Sequence, residues 1–228
     1  MAKKRHSLAV RLWHWINAAA LIVLFMSGLN ISNAHRYLYW GNAGFDPSEA
    51  WTSVIRFPGW ATLPQNYNLA AARDWHNLAA WLFAVALLAI WIAMIVRGHF
   101  WRDIALNRSE WSVSAFAADI KAHLRGKFEH GDAKYNALQK IAYGLVYGVM
   151  LPMMVFTGLA ISPGFEPAAP WFVDLLGGRQ SARSLHFIFA WAVFGFFVVH
   201  IVMVLLSGPI RQITSMITGN RTEESGHG

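Results

Sequence analysis

The sequence predicts an all-α fold, an integral membrane four-helix bundle with both termini cytoplasmic. Three observations carry this expectation. The 228-residue chain is 56% hydrophobic and only 14% charged. Its charges gather between long apolar runs instead of alternating with them along amphipathic stripes. Four of those runs reach the roughly 20 residues that a helix needs to cross the hydrocarbon: Leu8 to Ile31, Trp75 to Val96, Ile141 to Ser162, and Leu185 to Leu206. Residues 1–221 are accordingly read as a single transmembrane domain, and 222–228 as a polar tail.

The net charge of +7 is explained by orientation in the membrane and does not call for nucleic acid. Lys3, Lys4, Arg5 and Arg11 lie at or before the start of the first span. Arg97, Arg102, Arg108, Lys121, Arg125, Lys127, Lys134 and Lys140 separate the second from the third. Arg211 and Arg221 follow the fourth. A cytoplasmic excess of Lys and Arg puts these segments inside and leaves two extracytoplasmic loops, whose few arginines are balanced by acids. The partner implied at this level is membrane lipid. With no cysteine, disulfides, Cys-ligated iron–sulfur clusters and covalent c-type haem are excluded.

The first span opens Arg11-Leu-Trp-His14-Trp15-Ile-Asn17 and becomes fully apolar through Met26. Its basic start resembles a signal peptide, but the run is long and interrupted by Trp13, His14, Trp15 and Asn17. An uncleaved span is expected; the rival, cleavage near Ser32 to His35, would remove His14. The loop from Ser32 to Ala72 is rich in aromatics and turn formers. It suits a cap folded on the membrane surface and is too short for an independent catalytic core. The second span begins at Arg73-Asp-Trp-His76. In the basic connection after it, Phe116, Ile120 and Leu124 are spaced for one face of an interfacial helix over Trp111 to Leu124. The third span carries no histidine and is expected to bend near Pro152. The last span starts after Gly177-Gly178-Arg179-Gln180-Ser181-Ala182-Arg183 and stops at Ser207-Gly208-Pro209.

The two halves repeat each other faintly. Ser27-Gly28-Leu29-Asn-Ile31-Ser32 echoes Thr157-Gly158-Leu159-Ala-Ile161-Ser162, and Arg73-x-x-His76-x-x-x-Ala80-Trp81 echoes Arg183-x-x-His186-x-x-x-Ala190-Trp191. Duplication of a helix hairpin accounts for both.

Histidines inside a bilayer are costly and mark function by default. Here there are four at two depths: His14 and His200 toward the cytoplasmic leaflet, His76 and His186 toward the other. His186 and His200 are fourteen residues apart on one helix, which places them on nearly one face and about 21 Å apart along the axis. Each pair, His76/His186 and His14/His200, can supply both axial ligands of a b-type haem, giving two non-covalent bis-His haems. With both axial positions filled, electron transfer is favoured over oxygen activation. Zinc is the rival metal, but two imidazoles without a carboxylate or thiolate make a poor zinc site.

Arg11, Arg73 and Arg183 each sit three residues before one of these histidines and so share its helix face. A guanidinium there is shaped for a haem propionate, although arginines at helix ends also simply snorkel. Arg179 joins this basic set at the outer end of the last span. Gly195, between the two histidines of that span, is the candidate for contact with the macrocycle; the other helix glycines serve close packing equally well. Asn17, Asn136, Gln139 and Lys140 collect hydrogen-bonding groups at the cytoplasmic level. Such groups suit a quinone headgroup beside an apolar channel, and equally suit capping and interface solvation. The remaining histidines read as surface residues, with His99 a lesser candidate for proton exchange.

The motifs Arg-x-Trp-His14-Trp-x-Asn17-Ala, Ser-Gly-Leu, Trp-His76, Tyr-Asn-x-Leu-Gln-Lys, Thr-Gly-Leu-Ala and Gly-Gly-Arg-Gln-Ser-Ala-Arg-x-x-His186, before a helix ending with His200, run over nearly the whole chain. Together they resemble the prokaryotic dihaem cytochrome b subunits, the cytochrome b561-like membrane subunits of thiosulfate reductase, nickel–iron hydrogenase and formate dehydrogenase. The thiosulfate reductase type looks nearest. The resemblance implies a quinone-reactive cytochrome of the cell inner membrane that exchanges electrons with an extracytoplasmic oxidoreductase subunit, often a molybdopterin enzyme. It also supports the two histidine pairings and puts quinone near the inner haem. The competing expectation is a self-contained oxidoreductase whose outer haem reacts directly with a small substrate such as superoxide. That alternative calls for an open basic cleft beside Arg73, Arg179 and Arg183.

Overall fold

The structure is a computed structural model, and it describes residues 7–96, 98, 117, 121 and 137–219. The interfacial helix expected over Trp111 to Leu124 lies almost wholly outside the described residues, as do Asn136 and His99. Among the described residues the protein is all-α apart from one two-stranded ribbon, and four helices are long and apolar enough to cross a membrane. These are α1 (Leu8–Ala34), α2 (Leu69–Val96), the composite of α3 (Ala137–Leu145) and α4 (Leu151–Ala160), and α6 (Arg179–Leu206). Two short helices complete the set, α5 (Pro170–Leu175) and α7 (Pro209–Thr218). Most of their large apolar side chains face outward, as expected where lipid replaces water as solvent.

Several helix boundaries differ from the expected spans. Helix α1 runs on to Ala34, while α2 starts at Leu69 and α6 at Arg179, six residues before each apolar run. The hydrocarbon counts only apolar residues, whereas a helix continues into the interface as long as its end groups are satisfied. At α2 that service is local: Asn68 Oδ1 accepts from the Ala71 N–H at 3.0 Å, an N-cap.

The third span accommodates Pro152 by a particular device. Between α3 and α4 the backbone makes one π turn, Val146–Met150. Proline cannot donate to the carbonyl four residues back, and its ring collides with that carbonyl. Widening the preceding turn relieves both problems.

The chain divides into two compact units. The first comprises Met1–Ala34, Ile55–Ala86 and Phe194–Gly228. In it, Trp13 Nε1 donates to the Ala86 carbonyl at 2.8 Å, and Phe25 stacks on Phe194 at 4.4 Å, so α1 is fixed to α2 and to the C-terminal half of α6. The end of α1 holds the following loop through its asparagines. Asn30 donates to the Pro64 and Asn66 carbonyls, and Asn33 both donates to the Phe57 carbonyl and accepts from its N–H.

The second unit comprises His35–Val54 and Leu87–Val193. Its ribbon pairs β1 (Tyr37–Leu38) antiparallel with β2 (Thr52–Ser53), Tyr37 opposite Ser53. Between the strands, Ser48 donates from its backbone and its hydroxyl to Asp46, holding that carboxyl below the usual carboxylate range. The ribbon caps the start of α6. The Gly41 carbonyl accepts from the backbones of Gln180 and Ser181, Ser181 Oγ accepts from the Gly41 N–H, and Ser184 Oγ donates to the Tyr39 carbonyl while accepting from Trp51 Nε1. First-turn donors that no helix can satisfy are thus satisfied by the loop.

Helix α5 ends in a Schellman turn. Gly177 donates to the Asp174 carbonyl and Gly178 to the Val173 carbonyl, both glycines having positive φ. A Cβ on Gly178, at φ +102°, would stand 2.6 Å from the Gly41 carbonyl oxygen. Gly178→Ala is therefore expected to destabilise the protein by about 1–3 kcal/mol, combining backbone strain with the loss of the ribbon's seat. Thermal unfolding in detergent reads this as a lowered midpoint, and an unchanged midpoint contradicts the assigned contact.

Candidate haem ligands and the cytoplasmic polar groups

His14 and His200 meet within the first unit. Their ring centroids are 6.4 Å apart and the rings are tilted by 53°. An imidazole nitrogen lies about 2 Å from a bound metal, so two rings ligating opposite faces of one iron have centroids on the order of 6 Å apart. The observed separation fits that requirement. Both rings are walled by aromatics: Trp15 sets its edge against His14 at 5.1 Å, and Phe196, one turn before His200, stacks on it at 6.2 Å with an interplanar angle of 20°. Stacking on the same helix orients the His200 ring before any ligand is bound.

His76 and His186 lie in different units, and each shows the same local arrangement. His76 Nδ1 is 3.0 Å from Ser27 Oγ, and His186 Nδ1 is 2.8 Å from Thr157 Oγ1. The glycine after each hydroxyl residue brings helix backbone close to the ring. A Cβ on Gly28 would stand 3.6 Å from His76 Cε1, and one on Gly158 would stand 3.5 Å from His186 Cε1. The repeat legible in the sequence is therefore a repeated side-chain geometry. Sequence reasoning quoted Ser27 and Thr157 but gave them no role. Their signal was the aligned position one residue before Gly28 and Gly158.

The arginines have protein partners. Arg11 donates to the Ile217 carbonyl near the C-terminal end of α7, where a cation also complements the helix dipole, and Trp15 Nε1 donates to the neighbouring Met216 carbonyl at 3.2 Å. Arg179 is ion-paired with Glu166 and donates to the Ile161 carbonyl at 3.2 Å, tying the end of α4 to the start of α6. Arg183 donates to Gln180 Oε1 at 2.8 Å. Arg73 is exposed, one turn before His76 on α2. Gly195 is exposed as well, and a Cβ there would meet nothing within 4 Å.

Of the cytoplasmic polar set, Asn17 is buried at 5% exposure and donates to the Trp13 carbonyl at 2.8 Å. Its Oδ1 is buried with no hydrogen-bond donor among the described residues. Lys140, on α3, is also buried, at 8% exposure. Gln139 precedes it on the same helix.

Comparison with known proteins agrees with this chemistry. The chain is 32% identical over 212 residues to an Azospira oryzae protein named as a protein-methionine-sulfoxide reductase subunit, YedZ1; the match covers 92% of this chain and 94% of the relative. It is 25% identical over 231 residues to a Cupriavidus necator protein named as a Ni/Fe-hydrogenase B-type cytochrome subunit, covering 93% and 84% of the two chains. An Escherichia coli protein named as cytochrome YdhU is 27% identical, over 83% of this chain and 64% of its own. No solved structure matches significantly. The family model described as prokaryotic cytochrome b561 matches residues 5–219. The chain belongs to the prokaryotic cytochrome b561 family and is a multi-pass membrane cytochrome that binds haem b.

Proposed function

We propose that the protein is a dihaem membrane subunit that exchanges electrons between the quinone pool and an extracytoplasmic oxidoreductase, with a molybdopterin enzyme as the expected class of partner. The observation that carries the reading is the 6.4 Å approach of His14 and His200, which suits one iron between them. These two hold the haem nearer the cytoplasm, and His76 with His186 hold the outer one. Each haem, when bound, would supply a one-electron Fe(III)/Fe(II) couple suited to electron transfer.

The chain's own residues do the rest. Trp15 and Phe196 hold the inner imidazoles in orientation. Asn17 offers a buried acceptor for a quinol hydroxyl, and Lys140, with Asn136 and Gln139 beside it in sequence, offers donors for a quinone oxygen. Arg11, Arg73, Arg183 and Arg179 remain candidates for propionates, in competition with the partners described for Arg11, Arg183 and Arg179. The relatives named as reductase and hydrogenase subunits support an oxidoreductase partner.

The alternative, direct reaction of the outer haem with a small substrate such as superoxide, calls for an open basic cleft. Within the His186 unit, Arg179 is neutralised by Glu166, and the ribbon residues Tyr39, Gly41 and Trp51 sit on the first turn of α6. Both features favour the conduit.

The test is anaerobic mixing of the purified protein in vesicles with a soluble quinol analogue. Both haems are expected to become reduced, and reduction of the outer one should be lost when the inner site is removed. Full reduction by dithionite with none by quinol would overturn the quinone assignment.

A further inference from the structure

We infer that Ser27 and Thr157 are positioning residues: each hydroxyl accepts the Nδ1–H of one outer histidine, fixing its tautomer and ring plane so that Nε2 is presented to the iron. The inference rests on the dihaem reading and deepens it.

The argument is a count of hydrogens. A hydroxyl carries one. Ser27 Oγ lies 2.6 Å from the Val23 carbonyl and Thr157 Oγ1 lies 2.5 Å from the Met153 carbonyl, each four residues back on its own helix. A carbonyl has no hydrogen to give, so at these distances the hydroxyl hydrogen points at it. The same oxygen is 3.0 Å from His76 Nδ1 in the first case and 2.8 Å from His186 Nδ1 in the second. With its hydrogen committed, the hydroxyl can only accept, and Nδ1 must donate. A neutral imidazole has a single N–H, so once Nδ1 carries it Nε2 keeps its lone pair.

Ser27 and Thr157 are both fully buried, at 0% exposure, so water does not compete for the contact. Helix hydroxyls often bond back to the fourth preceding carbonyl, and that alone would be a structural detail. Here the second contact, to a histidine 49 residues away in one unit and 29 in the other, recurs with the same nitrogen and the same hydroxyl position before a glycine. An acceptor on the far nitrogen of a metal-bound imidazole fixes its orientation and raises its basicity. More basic ligands favour the ferric state, so these hydroxyls hold the outer haem's potential down.

The experiment uses the full chain in detergent, with haem content, potentiometric titration and low-spin ferric EPR read on Ser27→Ala and Thr157→Val. Each variant is expected to move the same haem, the outer one. Its ferric state should weaken about tenfold against the ferrous state, a shift of about 59 mV upward for one electron, with altered EPR g-values and the inner haem unchanged. Ser27→Thr and Thr157→Ser keep a hydroxyl and should restore the parent values. Loss of the outer haem in the first two variants, with retention in the swaps, is equally a positive result. The inference is overturned if Ser27→Ala and Thr157→Val keep parental potentials and spectra, or if the swaps are as perturbed as the deletions. A parent protein with fewer than two haems would instead remove the dihaem reading itself.

Discussion

His200→Ala is expected to leave one haem b per chain of the two proposed for the parent protein. His200 and His14 approach to 6.4 Å between ring centroids, and an iron held between them would lose one of its two protein ligands in this variant. The vacated side offers Phe196, whose ring has no donor atom for iron. Since perturbing even an outer partner of a ligand costs 10–100-fold in affinity, deleting the ligand should empty the site at working concentrations. The helix itself should survive. Position 200 is exposed, Ala is the best helix former, and the Phe25/Phe194 stack that fixes this half of α6 to α1 is untouched. Pyridine haemochrome against protein mass reads the result. A folded variant that retains both haems would refute the assignment.

A second set of replacements tests the pairing at the outer level, where ligand partnership rests on sequence depth and repeat. His76→Ala and His186→Ala should each lose one haem, the double variant should lose no more than either single, and His76→Ala combined with His200→Ala should lose both. Two residues that serve one iron are non-additive, whereas residues of separate sites add. If the His76/His186 double variant instead loses two haems, the pairs have been drawn wrongly.

Much of this protein was legible because a bilayer admits few solutions. Runs of apolar length had to be helices, and four histidines within those runs stood out as candidates for a use. The helix starts were less legible, for reasons that differ between them. The start of α2 is set by the Asn68 cap, which a criterion of apolar length passes over. The cap of α6 could not be read locally at all, because Gly41 lies about 140 residues before it. Pro152 announced a bend, but whether the helix kinks or widens into a π turn depends on packing. Among the site residues, histidine depth followed from position along each span. The Ser27 and Thr157 contacts are tertiary, and the repeat gave their register without their partner. The protein partners of Arg11 and Arg179 were hidden for the same reason: Ile217 and Glu166 meet them only in the fold.

The central claim is two haems, each held by two histidines. Its most direct test is a potentiometric titration of the purified chain, following the reduced-minus-oxidised spectrum with haem content per chain determined on the same sample. Two non-covalent, low-spin b-type centres titrating at separate potentials are expected. A single centre, or a folded chain without haem, would contradict the assignment of the histidine pairs.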